Sequence, residues 1–363
     1  MSELAYKPNW DETKEHFRAW WKRDGLVLSG WCGAPSNGEL LEHVPAPPAK
    51  HTVEDDLTTP ELRAHLEHYA LVQRTYPADI MPLASSDIGP GSLALYVGGE
   101  PGFSNETVWF EPIWKNIENP EELPPIKFDP NNKWWKITEG TLKAHIARGK
   151  GKYLAGCPDL VENIDILSAL RDPQTFMMDL ILRPDWVKQK VSELNQAFFD
   201  AFDHVYEIIR DEEGGNAFQA FALWGPGKTA KVQCDAAAMI SPDMFREFVA
   251  PGLKEQCAWL DYSMYHLDGT QAMCHLDALL EIDELDAIEW TPQAGIENGG
   301  NPRWYPLYEK ILNAGKSVQA IGVGPDEVIP LLDAVGGKGM YILTRFDDPA
   351  HADKLLQGVE AYR

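Results

Sequence analysis

Asp261-Tyr262-Ser263-Met264-Tyr265-His266-Leu267-Asp268-Gly269 is the stretch on which the reading of this chain turns. An apolar-rich run, Tyr262 to Leu267, breaks off into a histidine, a carboxylate and a glycine. Runs of that length read as buried strands, and a polar cluster at the end of one has left the core. The pattern recurs. Leu26 to Trp31 ends at Cys32, and Ile80 to Ala84 runs out through Ser85 and Ser86 to Asp87. Tyr153 to Gly156 ends at Cys157 with Asp159 beyond, and Phe218 to Leu223 ends at Trp224-Gly225-Pro226-Gly227. Ala287 to Glu289 ends at Trp290, Ser317 to Ile321 at Gly322, and Met340 to Leu343 at Thr344-Arg345. About eight strand candidates, most separated by helix-like stretches, predict an α/β fold of the (β/α)8 TIM-barrel type. In such barrels chemistry sits where strands finish, so these endpoints are the site candidates.

The 363 residues, 44% of them hydrophobic, suffice for one large core, and no linker divides two; residues 1–363 read as a single domain. A formal net charge of −24 excludes nucleic acid and anionic membrane surfaces as partners. The five cysteines are odd in number and form no CxxC pair, which fits free thiols in a reducing compartment. The N-terminus carries no charged and apolar signal and no stretch of 18 apolar residues occurs, so the expected location is cytoplasmic.

Along the chain, Asp11 can cap a helix through Lys22, and the Pro- and Gly-rich residues 33–60 read as a long loop over the barrel mouth. Residues 88–135, after the second strand, form the largest irregular insertion, of a length that suggests a lid or a partly structured segment. A helical stretch from Ile166 to Phe202 should break at Asp172-Pro173 and Arg183-Pro184, and Pro242 to Leu260 reads as another helix.

His266 and Asp268 flank Leu267 on a strand, so both point to one side. Facing the mouth, they are an acid–base pair or ligands to a metal such as zinc, with Glu289 as a third ligand. Facing elsewhere, they are a structural hydrogen-bonded pair. Asp87 and Asp159 lie just beyond strand ends, and Asp235 precedes a helix; each suits catalysis or substrate binding, or else a turn or cap. Arg345 is the strand-end cation able to orient a carboxylate or hydroxyl. Trp224 and Trp290 read as stacking platforms around a substrate, with packing as their alternative, and Tyr265 is counted with the substrate-contacting aromatics. Gly225-Pro226-Gly227-Lys228-Thr229 lacks the leading glycine spacing of a phosphate loop.

Asp235, followed by Ser241-Pro242-Asp243-Met244-Phe245-Arg246-Glu247-Phe248-Val249-Ala250-Pro251-Gly252-Leu253-Lys254, resembles the D…S-P-x-x-F-x-x-F-x-x-P-x-x-K signature of the uroporphyrinogen decarboxylase superfamily. Ala78-Asp79-Ile80 leading to Asp87, Asp165-Ile166-Leu167 leading to Asp172-Pro173, and the closing Tyr341 to Arg345 are similar to further pieces of it. The resemblance implies a barrel enzyme, either a porphyrin decarboxylase or a zinc-dependent methyltransferase serving a corrinoid protein. Two departures sharpen this. Gly30-Trp31-Cys32-Gly33-Ala34-Pro35 lacks the arginine pair that holds porphyrin carboxylates in the decarboxylases. His266-Leu267-Asp268 and Thr344-Arg345 stand where the methyltransferases place the cysteine ligands of zinc. The leading expectation is methyl transfer from a small polar organic substrate, linked to a corrinoid partner, with zinc at His266 and Asp268. Hydrolysis or elimination on a carbohydrate-like substrate through paired carboxylates, uroporphyrinogen-type decarboxylation, and a non-catalytic binding barrel are its alternatives. A homodimer completes the expected partners.

Overall fold

A computed structural model describes residues 4–36, 38–347 and 349–363 of the protein. Ten strands position the site: β1 (Val27–Gly30), β2 (Leu83–Ala84), β3 (Leu154–Cys157), β4 (Asn216–Phe218), β5 (Leu223–Gly225), β6 (Thr229–Gln233), β7 (Tyr262–Asp268), β8 (Ala287–Thr291), β9 (Ser317–Ala320) and β10 (Met340–Thr344). One sheet is six-stranded and wholly parallel, in the order β1-β10-β9-β8-β7-β6. A second runs β2-β3-β4-β5, parallel except for the β4–β5 hairpin. This is a mixed α/β protein whose helices alternate with parallel strands, an arrangement consistent with a TIM-barrel-like fold. No continuous hydrogen-bonded ladder closes it among the described residues.

At the two places where the ladder stops, side chains take over. Between β1 and β2, Asp79 donates its backbone N–H to the carbonyl of Leu28 (2.9 Å) and accepts the Leu28 N–H on Oδ2 (2.9 Å). Its buried carboxylate is held by Arg363 (2.9 Å) and His16 (2.7 Å). Between β4 and β6, the Asn216 carboxamide accepts from Thr229 N–H (2.9 Å) and donates to Thr229 C=O (3.1 Å). An amide side chain there does what a strand backbone would do, since buried peptide groups must find partners.

The helix Trp10–Trp21 closes the end where the strands begin. Its Trp20 indole donates to the carbonyls of Val318 (3.2 Å) and Gly339 (3.1 Å), and Ser317 Oγ donates back to the Trp20 carbonyl (2.6 Å). Phe17 meets Tyr341 edge-on at 5.4 Å inside the same apolar plug. Among the described residues no helix is long and apolar enough to cross a membrane.

Most expected strands stand within a residue or two of their sequence limits; the fourth does not. Phe218 to Leu223, read as one strand, is a hairpin whose chain reverses at Phe221 (φ 61°) and Ala222 (φ 49°). The strand that follows in barrel order is Thr229–Gln233, which the sequence reading passed over. The hairpin tip is apolar because it is inserted into the hollow. The helical stretch after residue 162 breaks where its prolines dictate, into Asn163–Arg171, Pro173–Leu182 and Pro184–Ile209. The stretch Pro242 to Leu260 divides at Val249, ahead of Pro251, into Pro242–Phe248 and Ala250–Trp259. The insertion 88–135 is structured, with a hairpin Glu100–Phe103/Val108–Glu111. Arg171 pins it, donating to the carbonyls of Trp114 (2.5 Å) and Ile117 (2.7 Å).

Because Asp79 satisfies a buried N–H, the Arg363 guanidinium and the His16 ring at once, Asp79→Ala leaves all three without that partner. Such losses cost about 3–5 kcal/mol. Urea unfolding followed by circular dichroism should show a drop of that size.

Candidate functional site

Parallel register fixes which side chains share the hollow. Gln233, His266, Glu289, Gln319 and Tyr341 are successive partners across β6, β7, β8, β9 and β10, so they form one row on the same face. Tyr265, Leu267 and Trp290, their neighbours along the strands, therefore face the outer helices. A row this polar is unusual for a barrel interior, which branched apolar residues ordinarily fill.

Glu289 is fully buried, and its Oε2 meets His266 Nδ1 in a short contact while Thr291 Oγ1 donates to Oε1 at 2.7 Å. Burial works against the charge of His266, yet the Glu289 carboxylate outweighs it and holds the imidazole above its ordinary pKa. Burial likewise raises Glu289, with His266 pulling it back in part. Both shifts describe one proton that the enclosed pair gives up reluctantly. With Nδ1 engaged, Nε2 is the ring nitrogen open to a ligand.

Asp235, just after β6, and Asp268, the last residue of β7, complete a cluster with His266 whose donor atoms all lie within 4.8 Å of one another. As whole residues Asp235 and Asp268 are exposed and His266 is partly so, while the Asp235 carboxyl end is turned inward. Burial of its carboxyl oxygens raises Asp235, against the pull of His266 and Lys231. Gln233 Nε2 donates to Asp235 Oδ2 at 2.8 Å and orients it. Behind it, Asp165 is pushed up to about 6 by burial and by Asp235, and it accepts the backbone N–H groups of Asp235 (2.7 Å) and Ala236 (2.9 Å). That is a capping role.

A second polar group lies deeper. Lys231, fully buried, pairs with Asp159 at 2.7 Å, and Asp159 is pinned in turn through its carbonyl by the N–H groups of Gly91 (3.0 Å) and Ser92 (3.1 Å). Burial and the nearby Asp159 raise Asp87, whose Oδ2 accepts from Gln219 Nε2 at 2.5 Å. Glu162 is fully enclosed between two left-handed residues, Val161 (φ 53°) and Asn163 (φ 51°), and burial raises its pKa well above the ordinary range.

The β4–β5 hairpin tip crosses this hollow like a spoke. Gln219 accepts from Ser86 N–H (2.9 Å), the Phe221 carbonyl accepts from Gln319 Nε2 (2.8 Å), and the Ala222 carbonyl accepts from Tyr341 Oη (2.7 Å). The Phe221 ring lies 4.6 Å from the His266 ring and 5.3 Å from that of Trp31.

The structure thus brings His266, Asp268 and Asp235 together, with Asp87 and Asp159 in the adjoining polar group. Three residues expected around a substrate lie elsewhere. Trp224 is buried against the N-terminal helix, edge-on to Trp10 at 5.7 Å, because the hairpin's return strand carries it to that end. Trp290 is buried on the outer face of β8, against Trp304 at 4.8 Å, as its alternation with Glu289 requires. Tyr265 is buried on the outer face of β7 for the same reason. Arg345 does stay at the strand ends, exposed beside Asp347 (3.5 Å) and lining a cavity with Trp31 and Thr344. Glu289 stands behind His266 rather than as a third ligand in the cluster. The sequence reading missed Lys231, Gln219 and Phe221. Lys231, Gln233 and Asp235 alternate with the period of a strand, and that signal identifies β6 and its inward face.

No model of a protein family matches the sequence, and no curated protein does either. Among solved structures, the chain is similar in fold to a methyltransferase from Methanosarcina mazei. The two are 13% identical with a TM-score of 0.60, and the match covers 96% of this chain and 98% of that one.

Glu289→Gln removes the countercharge beside His266 while keeping its size. The imidazole pKa, read by NMR titration, should fall by roughly one unit or more. Since the folded His266 is raised, the stability it contributes is complete below about pH 6.5 and is lost as pH rises through the folded value. The stability gap between the parent and the Gln variant should narrow over that interval, and a gap independent of pH would contradict the assignment.

Proposed function

We propose that this chain is an enzyme of the uroporphyrinogen decarboxylase-like superfamily, with a closed (β/α)8 barrel and a metal centre at its strand ends. On this reading it moves a methyl group from a small organic substrate toward a corrinoid-carrying partner protein. The observation that carries the reading is the Glu289–His266 pair with Asp235 and Asp268 gathered beside the same imidazole. One nitrogen and two carboxylate oxygens form a donor set that catalytic zinc accepts. A histidine whose other nitrogen is held by a buried carboxylate is the arrangement that metal-bound histidines use. The fold likeness to a methyltransferase and the Asp235…Lys254 signature support the same choice.

His266 and the carboxylates of Asp235 and Asp268 would hold the ion, and zinc would supply Lewis-acid polarisation of the methyl donor's leaving atom. Glu289 fixes the His266 ring and tautomer, and Thr291 fixes Glu289. Gln233 keeps Asp235 turned toward the cluster. Phe221 shields one face of His266 from water, which strengthens every charge interaction inside. Oxygen ligands replace the thiolates expected of relatives that activate thiols, which suits an ion acting on an oxygen or nitrogen leaving atom of the donor rather than on a thiol acceptor.

Purified protein titrated with zinc should bind one equivalent, and His266→Ala and Asp268→Ala should each weaken uptake by about 10-fold or more. Uptake should tighten as pH rises through the raised His266 value, because the ion displaces a proton there. A visible-absorbance assay with cob(I)alamin as acceptor and a panel of methylated donors tests the transfer. Zinc-dependent formation of methylcobalamin supports the reading, and its absence across the panel removes it.

A further inference from the structure

A cavity of about 330 Å³ opens where β1 and β2 end, walled by Trp31, Leu71, Tyr76, Met81, Leu83 and Ala222. Two charged residues also line it, Glu67 and Arg74. Glu67 is already satisfied: Arg63 pairs with it at 3.3 Å and the Ser85 N–H donates to it at 3.2 Å. Arg74 is not. Its guanidinium donates to the Gly33 carbonyl at 3.3 Å and makes no ion pair among the described residues. Arg74 is exposed at the cavity's rim, and in a chain of net charge −24 an arginine with no carboxylate partner is placed to meet a ligand's anion.

The inner wall is the hairpin tip. Gln219 and Ala222 face the cavity, and Phe221 between them lays its ring on His266. A ligand seated here is one residue's thickness from the metal cluster. The same tip screens a ligand anion from Asp235 and Asp268.

We propose that this cavity binds a compact organic monoanion, a carboxylate or sulfonate on an apolar body, with Arg74 holding the charged end and Trp31, Tyr76 and Met81 packing the body. One available cation and a mostly apolar wall set the class: a polyanion finds too few partners, and an ammonium compound meets Arg74. The inference deepens the proposed function by naming its substrate class, and it rests on that reading for the ligand's being a substrate at all.

Calorimetric titration of the full chain with 3-phenylpropionate, 3-phenylpropionamide and 3-phenylpropylamine tests it. The acid should bind one-to-one and at least tenfold more tightly than the amide or the amine. Arg74→Ala should erase that preference, and Arg74→Lys should keep part of it. Equal binding of the three compounds, indifference to Arg74→Ala, or no binding of the acid would overturn the proposal. The two readings fail separately. Zinc uptake without acid binding sinks the cavity alone, and acid binding without zinc uptake sinks the metal centre alone.

Discussion

A carboxylate with no exposure to water cannot keep its charge without a partner, and Glu289 has one principal partner, His266. Much of the site's geometry follows from that requirement. The ring is fixed at Nδ1, its other nitrogen is presented to the strand ends, and the shared proton is retained beyond its ordinary range. Register does the rest. Because β6, β7 and β8 pair in parallel with Gln233, His266 and Glu289 level, the residues two further along at the strand ends are Asp235, Asp268 and Thr291. The cluster is therefore a second tier built on the first, and its spacing is inherited from strand spacing rather than from loop conformation.

The hollow is lined with carboxylates, and several of them are answered locally. Lys231 answers Asp159, Gln219 answers Asp87, and backbone N–H groups answer Asp165. Replacing such groups by apolar ones is often neutral or stabilising in ordinary cores. Their presence in one enclosed space is therefore better explained by what they do than by what they stabilise.

The strand-end histidine and carboxylates were legible because a strand's alternation places His266 and Asp268 together whatever the surrounding fold. The outer helices were legible through their prolines. Trp224 and Trp290 misled for a related reason: a tryptophan beside a strand terminus looks the same in sequence whether it faces the hollow or the helices. Glu289 one residue away decides the matter for Trp290, while Trp224 depends on a chain reversal at Phe221 and Ala222, residues that do not ordinarily make turns. Strand β6 was obscured by its own inward face, since Lys231 and Gln233 carry the polarity of a surface strand. Asp79's role at the first seam rests on contacts from residues as distant as Arg363, which no local pattern encodes.

The left-handed backbone at Phe221 has a cost that glycine or asparagine would relieve, of order 1–3 kcal/mol for a residue held in so sparse a region. A bulky side chain kept in that conformation means the ring itself is what the architecture retains. Selection for thermal robustness alone would drift toward a smaller residue here and, in doing so, uncover the imidazole. Durability and the shelter of the imidazole are thus set against each other at a single position.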